Sequence, residues 1–382
     1  MDSAAPYKVL HIIKSLGRGG AEMLLPETLR LHDKNKFEFH YVYFLPWKNQ
    51  MVDSLIAQGG RVTCIAANNN ISLILKVRKV LKYVREHKIQ IIHAHLPWAG
   101  IVSRLVARYT DVPVIYTEHN KQERYHILTR ITNLATLNWL SRIIAVSADV
   151  AESIVRHKRN LTSPIQVIVN GVNTRRFTPQ TGDRNEIRNV LQIPVDAPVI
   201  GTIAVFRFQK RLDVWLDIAS TILASIPEAH FIIVGDGPLK PILMEKRQQL
   251  GIEKKVHFVG LQTEVRPFLA TFDLYMMSSI FEGLPVALLE AMASGCPVIS
   301  TDAGGVKEVI RHEIDGLLCS TDEPQKLSQM AISLLRSADR KAYFASQSRK
   351  RVVEFFSMEK MVNELENLYT KTLSEPSKKI SK

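Results

Sequence analysis

The segment Phe281–Glu290 reads FEGLPVALLE and sets two carboxylates eight residues apart, Glu282 before a Gly-Leu-Pro turn and Glu290 at the end of an apolar run. Proline suits the first turn of a helix, where its missing N–H has no intrahelical partner. Glu282 is therefore expected in a loop and Glu290 two turns along a helix. The amides of Gly283 and Leu284 would point out of the helix start, where anions bind. Carboxylates so placed would accept hydrogen bonds from sugar or ribose hydroxyls, although a surface glutamate beside a core helix has the same pattern. A second segment, RFQKR from Arg207, could neutralise the charge that grows on a phosphate leaving group. Arg207 and Lys210 are its first candidates, with Arg211 an alternative to Lys210, and a plain solvated charge run is the competing reading.

Other segments add smaller pieces. IIVGDGP, Ile232–Pro238, ends an apolar run in a glycine turn at Gly235. GRGGAE from Gly17 places Gly19 and Gly20 between a strand and a helix, where a backbone without Cβ approaches a ligand closely. It is not G-x-G-x-x-G, and no acidic residue closes the next strand, so a dinucleotide fingerprint is not read. His119, in TEHN, could hydrogen-bond a sugar hydroxyl near neutral pH. In IIHAH the apolar neighbours make His93 a buried structural residue, and the i, i+2 spacing of His93 and His95 without Cys or Asp partners argues against a metal. Asp-x-Asp is absent from the sequence, so no carboxylate pair is read to hold a divalent metal on a diphosphate, and no metal or other cofactor is expected.

The elements that must position these residues follow from hydrophobic pattern. Short apolar runs alternate with stretches of helical periodicity, the mark of repeated βαβ units. Strands are expected at Val9–Ile13, Phe37–Phe44, Val62–Ile65, Ile89–His93, Pro113–Tyr116, Ile143–Val146 and Ile165–Val169, and again at Val199–Ala204, Phe231–Val234, Val256–Val259, Leu274–Met277, Pro297–Ser300 and Leu317–Cys319. A crossover helix is expected over Ser72–Lys88. The polar stretch Arg175–Ala197, with Pro179, Gly182 and Pro194, separates two halves. The division is placed at 1–178 and 179–357, with 358–382 as a last helix that could return to the first domain and a frayed, lysine-rich tail. Two doubly wound sheets would bind ligands at their strand C-termini, facing one another across a cleft.

The chain has 382 residues, 46% apolar and 23% charged, with a net charge of +13. Those proportions exclude a disordered or collagen-like chain. Residues 1–178 carry 25 Lys/Arg and 12 Asp/Glu, leaving 25 and 25 for 179–382 out of totals of 50 and 37, so the whole surplus lies in the first half. That half is expected to face something anionic. Three scattered cysteines fit neither a disulfide framework nor a cysteine-rich zinc site. No signal peptide and no spanning helix is read, so a cytoplasmic protein is expected.

Taken in order, NGVNTRRF, RFQKR, IIVGDGP and SSIFEGLPVALLEAMASGCPVISTDAGG, preceded by GRGGAE, IIHAH and TEH, resemble the retaining, nucleotide-sugar-dependent glycosyltransferases of the GT-B fold, family 4. The resemblance spans nearly the whole chain. It implies that Arg207 and Lys210 hold the donor diphosphate, that His119 and Glu282 meet the transferred sugar, and that Glu290 binds the nucleoside ribose. Gly19 and Gly20 would lie near the donor phosphates and the acceptor. This chain departs from the pattern at Phe206, where glycine is usual, and in the short Arg–Lys spacing. The expected partners are a nucleotide sugar and a saccharide or lipid-linked acceptor in bacterial polysaccharide, lipopolysaccharide or glycolipid assembly.

The excess charge implies a peripheral attachment to an anionic membrane surface at the cytoplasmic leaflet. It would run through Lys76–Arg85 or through Lys121–Arg142, where Arg124, Arg130 and Arg142 mix with Ile127, Leu128, Ile131, Leu134, Leu137, Trp139 and Leu140. A nucleotide-sugar epimerase of the same fold is the alternative. A basic nucleic-acid-binding protein is a further one, although no nucleic-acid motif is found and no nucleic acid is expected.

Overall fold

Parallel strands buried on both faces demand continuous apolar runs, and HFIIV at His230–Val234, buried at every position, is one such run. The computed structural model describes residues 5–179 and 182–375. Within them the chain forms two units, residues 1–171 with 358–382 and residues 172–357.

The first unit holds a parallel sheet of seven strands: β1 (Tyr7–Ile12), β2 (Phe37–Tyr43), β3 (Arg61–Cys64), β4 (Ile91–His95), β5 (Val114–Glu118), β6 (Arg142–Ala145) and β7 (Ile165–Val167), in the order β3-β2-β1-β4-β5-β6-β7. The strand order reverses between β1 and β4, where His11 pairs in register with His93. Its helices include α1 (Gly20–Leu31), α2 (Asn70–Ile74), α3 (Val77–Glu86), α4 (Pro97–Ala107), α5 (Ile127–Thr136) and α6 (Met358–Ser374). The second unit holds six parallel strands: β8 (Val199–Ile203), β9 (His230–Val234), β10 (Val256–Gly260), β11 (Leu274–Met277), β12 (Val298–Thr301) and β13 (Leu317–Cys319). Their order is β10-β9-β8-β11-β12-β13, so the reversal falls between β8 and β11. Its core gathers on Trp215, Leu216, Phe231 and Met276.

The doubly wound α/β expectation holds, with every expected strand present to within two residues. Several local expectations need correction. Ser72–Lys88 is two helices, α2 and α3, because the chain tightens at Lys76, whose N–H bonds the Leu73 carbonyl only three residues back. Lys121–Arg142 is likewise broken. A 3-10 turn at Gln122–Arg124 leads into α5, a second turn spans Leu137–Trp139, and Arg142 already opens β6. Leu137 and Leu140 are buried, and Arg142 pairs with Glu375, so none of the three belongs to an exposed basic-apolar face.

The sequence places the domain boundary after residue 178, whereas contacts change allegiance between Gly171 and Val172. The Val172 N–H bonds the Phe356 carbonyl at 2.9 Å, and Arg349 donates to the Phe177 carbonyl at 3.0 Å. These bonds tie residues 172–177 to the second unit. Helix α6 belongs to the first unit, with Tyr369 fully buried there and Glu366 bonded to His32 at 2.9 Å. The tail expected to fray lies, from residue 376 on, outside the described residues.

Candidate functional site

Open parallel sheets bind ligands beyond their strand C-termini where the order reverses, and both reversals carry candidate residues. In the second unit, the chain leaving β8 makes a short 3-10 turn at Phe208–Lys210 and then enters a left-handed conformation at Arg211 (φ 46°). The chain leaving β11 runs through Ser278–Pro285. Ser278 Oγ donates to the Lys210 and Arg211 carbonyls, both at 3.0 Å, and the Ile280 N–H bonds the Gln209 carbonyl at 2.8 Å. These bonds lace the two loops together. Lys210 Nζ consequently lies 2.5 Å from Glu282 Oε1, which also accepts from Ser279 Oγ at 2.6 Å. Arg207 stands exposed at the start of the same turn. The two candidates of this loop turn to different partners: Arg211 donates to the Thr321 carbonyl at 2.9 Å while Lys210 meets the Glu282 carboxylate.

Helix α7 (Val286–Ala293) follows that loop. Pro285 is its N-cap residue rather than part of its first turn, a shift of one position. Glu290 is buried on this helix, and Leu284 is buried just before it, with Gly283 half-buried alongside. Glu282 and Glu290 both bear on Tyr275: burial first, and then these two carboxylates, push its hydroxyl pKa upward. Gly235 adopts φ +131°, and a Cβ there would meet the Ala204 carbonyl oxygen at 1.9 Å. That close approach explains the glycine by packing alone. Phe206 fills the core beside it, fully buried.

In the first unit the reversal is lined by imidazoles. The period of two puts His93 and His95 on one face of β4, and the register brings His11 of β1 beside them. His11 Nδ1 and His95 Nε2 lie 2.9 Å apart, and His93 contacts the Tyr369 hydroxyl and Thr117 Oγ1, each at 2.7 Å. Burial holds all three rings far below the usual histidine range, His93 at about 3. His119, just past β5, is lowered by burial to about 4, and its Nε2 is buried without a partner among the described residues. These rings and Ala21 of α1 line a cavity of about 20 Å³, room for roughly one water. His93 is the buried structural residue that the sequence indicates.

The nitrogens of His11, His93 and His95 lie within 4.8 Å of one another. Both nitrogens of His93 already have partners, so a metal there would break one of those bonds, whereas His11 Nε2 and His95 Nδ1 are buried without a partner among the described residues. At α1, Gly19 is the N-cap, and the Glu22 carboxylate folds back onto it, within 2.2 Å of where a Cβ would sit. Glu22 also accepts from Ser15 Oγ at 3.0 Å, so a carboxylate of the chain itself occupies the helix start expected to favour anions. Gly20 has open space around its Cβ position.

Sequence reasoning missed His11, Ser279 and Glu118. Glu118 was visible only as the middle letter of TEH. His11 becomes a partner of His93 only through strand register.

Comparisons with known proteins agree with this architecture. Residues 18–176 match the family model described as Glycosyltransferase Family 4, and residues 183–351 match Glycosyl transferases group 1. The chain is 25% identical over 315 residues to the Escherichia coli UDP-Gal:alpha-D-GlcNAc-diphosphoundecaprenol alpha-1,3-galactosyltransferase, covering 78% of this chain and 81% of that protein. It is 27% identical over 301 residues to the N-acetyl-alpha-D-glucosaminyl L-malate synthase of Bacillus anthracis, covering 76% and 77%. In fold it is similar to the crystal structure of Anabaena Alr3699/HepE in complex with UDP-glucose, with a TM-score of 0.84 at 21% identity over 95% of this chain and 99% of that one.

Proposed function

The chain belongs to the glycosyltransferases of family 4 and group 1, with the GT-B fold, and from that premise we propose a retaining, metal-independent enzyme. It moves a sugar from a nucleoside-diphosphate sugar to a saccharide or lipid-linked acceptor. The observation that carries the reading is the Lys210–Glu282 pair at the β8/β11 reversal. Lys210 and the exposed Arg207 are preorganised cations for the charge that develops on the departing β-phosphate. Glu282, oriented by Ser279, accepts a hydrogen bond from the transferred sugar, and Glu290 takes the ribose. Gly283 and Leu284 border the phosphates at the start of α7. In the first unit, neutral His119 hydrogen-bonds the transferred sugar, with the Gly19–Gly20 loop beside the acceptor.

Retention follows from attack on the face the leaving group vacates. The acceptor oxygen forms its bond to the anomeric carbon as the carbon–oxygen bond to the β-phosphate breaks. The acceptor's proton passes to that phosphate oxygen, so no enzymic nucleophile is needed.

For the setting, support comes from α5, where Ile127, Leu128 and Ile131 are 48%, 65% and 56% exposed and Arg124 and Arg130 lie close in sequence. Such a face suits an anionic leaflet, and the E. coli relative is named for a diphosphoundecaprenol acceptor. We place the enzyme at a cytoplasmic membrane surface on these grounds. Among the described residues no helix is long and apolar enough to cross a membrane.

A panel of sugar nucleotides, UDP-glucose first, tests the reading by slow donor hydrolysis and by the anomeric configuration of any product in proton NMR. Hydrolysis of one donor that disappears in Lys210→Ala is expected. An inverted product would overturn retention, and a donor epimerised without transfer would favour the epimerase.

A further inference from the structure

Glu118 is fully buried, yet its two oxygens gather six donors. Oε1 accepts from the backbone N–H of His119 at 3.0 Å, the N–H of Asn120 at 3.3 Å and the Tyr125 hydroxyl. Oε2 accepts from the Tyr116 hydroxyl at 2.8 Å, Gln122 Nε2 at 2.7 Å and Asn133 Nδ2 at 3.2 Å. Arg104, also buried, braces the far side. It donates to Asn133 Oδ1 at 2.7 Å and stands over the Tyr116 ring at 4.9 Å. Gly100 leaves room for that stack, since a Cβ there would come within 2.6 Å of the guanidinium. Burial raises the Glu118 pKa and the donors oppose the rise.

A buried carboxylate facing six donors is an expensive way to build a scaffold, and two of these donors belong to the backbone that carries His119. Hydroxyl and amide partners can turn or flip to suit a different acceptor; backbone N–H groups cannot.

We propose that Glu118 is a positioning residue, which caps the His119–Asn120 backbone and so fixes the His119 imidazole for the transferred sugar. The proposal rests on the role assigned to His119 above. Because α5 supplies Asn133, and Tyr125 lies just before α5, the same carboxylate also ties the helix that bears the exposed apolar face to the histidine turn.

The test combines Glu118→Leu, Glu118→Gln and His119→Ala, assayed by hydrolysis of the best donor of the panel and by UDP binding. Glu118→Leu removes the one acceptor that the two backbone amides share and is expected to lower kcat on the order of 10²-fold, the cost that misplacing a reacting partner by about 1 Å can carry. The Kd for UDP should not change, and adding Glu118→Leu to His119→Ala should cost nothing further. Glu118→Gln can keep its carbonyl toward the two amides while disturbing Gln122 and Asn133, so it should lose thermal stability yet retain most of kcat.

Additive effects of Glu118→Leu and His119→Ala overturn the proposal, as does a Glu118→Gln enzyme as impaired as Glu118→Leu. Full activity in Glu118→Leu beside an inactive His119→Ala overturns it while leaving the reading of His119 intact. Full activity in His119→Ala removes that reading itself. Should Glu118→Leu fail to fold, hydrogen exchange on the unaltered protein decides: the His119 and Asn120 amides must be protected, and free exchange there overturns the cap.

Discussion

The two sheet reversals are built on opposite electrostatic plans. At β1/β4 the groups are imidazoles that burial keeps neutral, bonded to one another and to Thr117 and Tyr369. At β8/β11 an ammonium meets a carboxylate, with a guanidinium exposed on the same turn. The same backbone topology therefore carries two electrostatic environments. Neutral rings recognise hydroxyls by direction, whereas a charged cluster answers a charged group. The first unit nevertheless carries nearly all the positive surplus, 28 Lys/Arg against 16 Asp/Glu, or +12 of the net +13, so its charge must act on its surface and not at the reversal.

Acid should separate the two plans most widely. His93 at about 3 and His119 at about 4 sit below the ordinary value of 6.5, and His11 and His95 are lowered as well. Between pH 6.5 and about 4 the unfolded chain binds protons that the folded unit refuses. Stability is therefore complete above 6.5 and falls with pH, by about 1.4 kcal/mol per pH unit for each such histidine. Several together approach the whole stability of a domain, about 5–15 kcal/mol. In the second unit two histidines are lowered, His230 to about 4 and His257, first by burial and then by neighbouring cations, against four at the first reversal. Hydrogen exchange from pH 7 to 4.5 should show the β1/β4 strands losing protection at higher pH than β8/β11. Equal midpoints would break the contrast.

Substitutions at the charged reversal come next in size. Lys210→Ala should lower kcat about 10²–10³-fold, as loss of one preorganised donor does elsewhere. Glu282→Ala should reduce turnover far more than UDP affinity. Glu290→Ala should instead weaken UDP binding by about 1–3 kcal/mol, the range for a hydrogen bond to a charged group. Calorimetry and steady-state rates on the three variants distinguish them, and small, equal effects from Glu282 and Glu290 would undo their separate assignments.

How far the sequence reveals these sites differs between the units for a physical reason. Glu282, Glu290 and Pro285 sit in one stretch, so local rules of helix initiation place them to within a residue. RFQKR is also local, but whether Lys210 or Arg211 turns toward Glu282 depends on the left-handed φ at Arg211 and on the bonds from Ser278. Those are long-range facts. The imidazole cluster is harder still. His11 and His93 are 82 residues apart and meet only because β4 pairs with β1, a register that no single segment encodes. Glu118 needs partners from Tyr116 to Asn133, and its meaning appears only once the turn has closed. The break at Lys76 was illegible because a continuous apolar stripe runs through it.

The smallest expected effect is none at all, and it tests both reversals together. At β8/β11 the neutralising charge is assigned to Arg207 and Lys210. At β1/β4 the nitrogens of His11, His93 and His95 lie within 4.8 Å but already contact one another, Tyr369 and Thr117. For a metal to enter, His93 would have to give up its bond to Tyr369 or to Thr117. EDTA should therefore leave donor hydrolysis and thermal midpoint unchanged, and added Mg²⁺, Mn²⁺ or Zn²⁺ should raise neither. Activity lost to EDTA and restored by Mg²⁺ or Mn²⁺ would mean that the diphosphate is held by a metal and that the cations of the Arg207 turn have another task. A midpoint raised by Zn²⁺ in the parent protein but not in His11→Phe would instead mean that the imidazoles of the first unit exchange their present partners for a metal, and the neutral plan drawn for that reversal would fall.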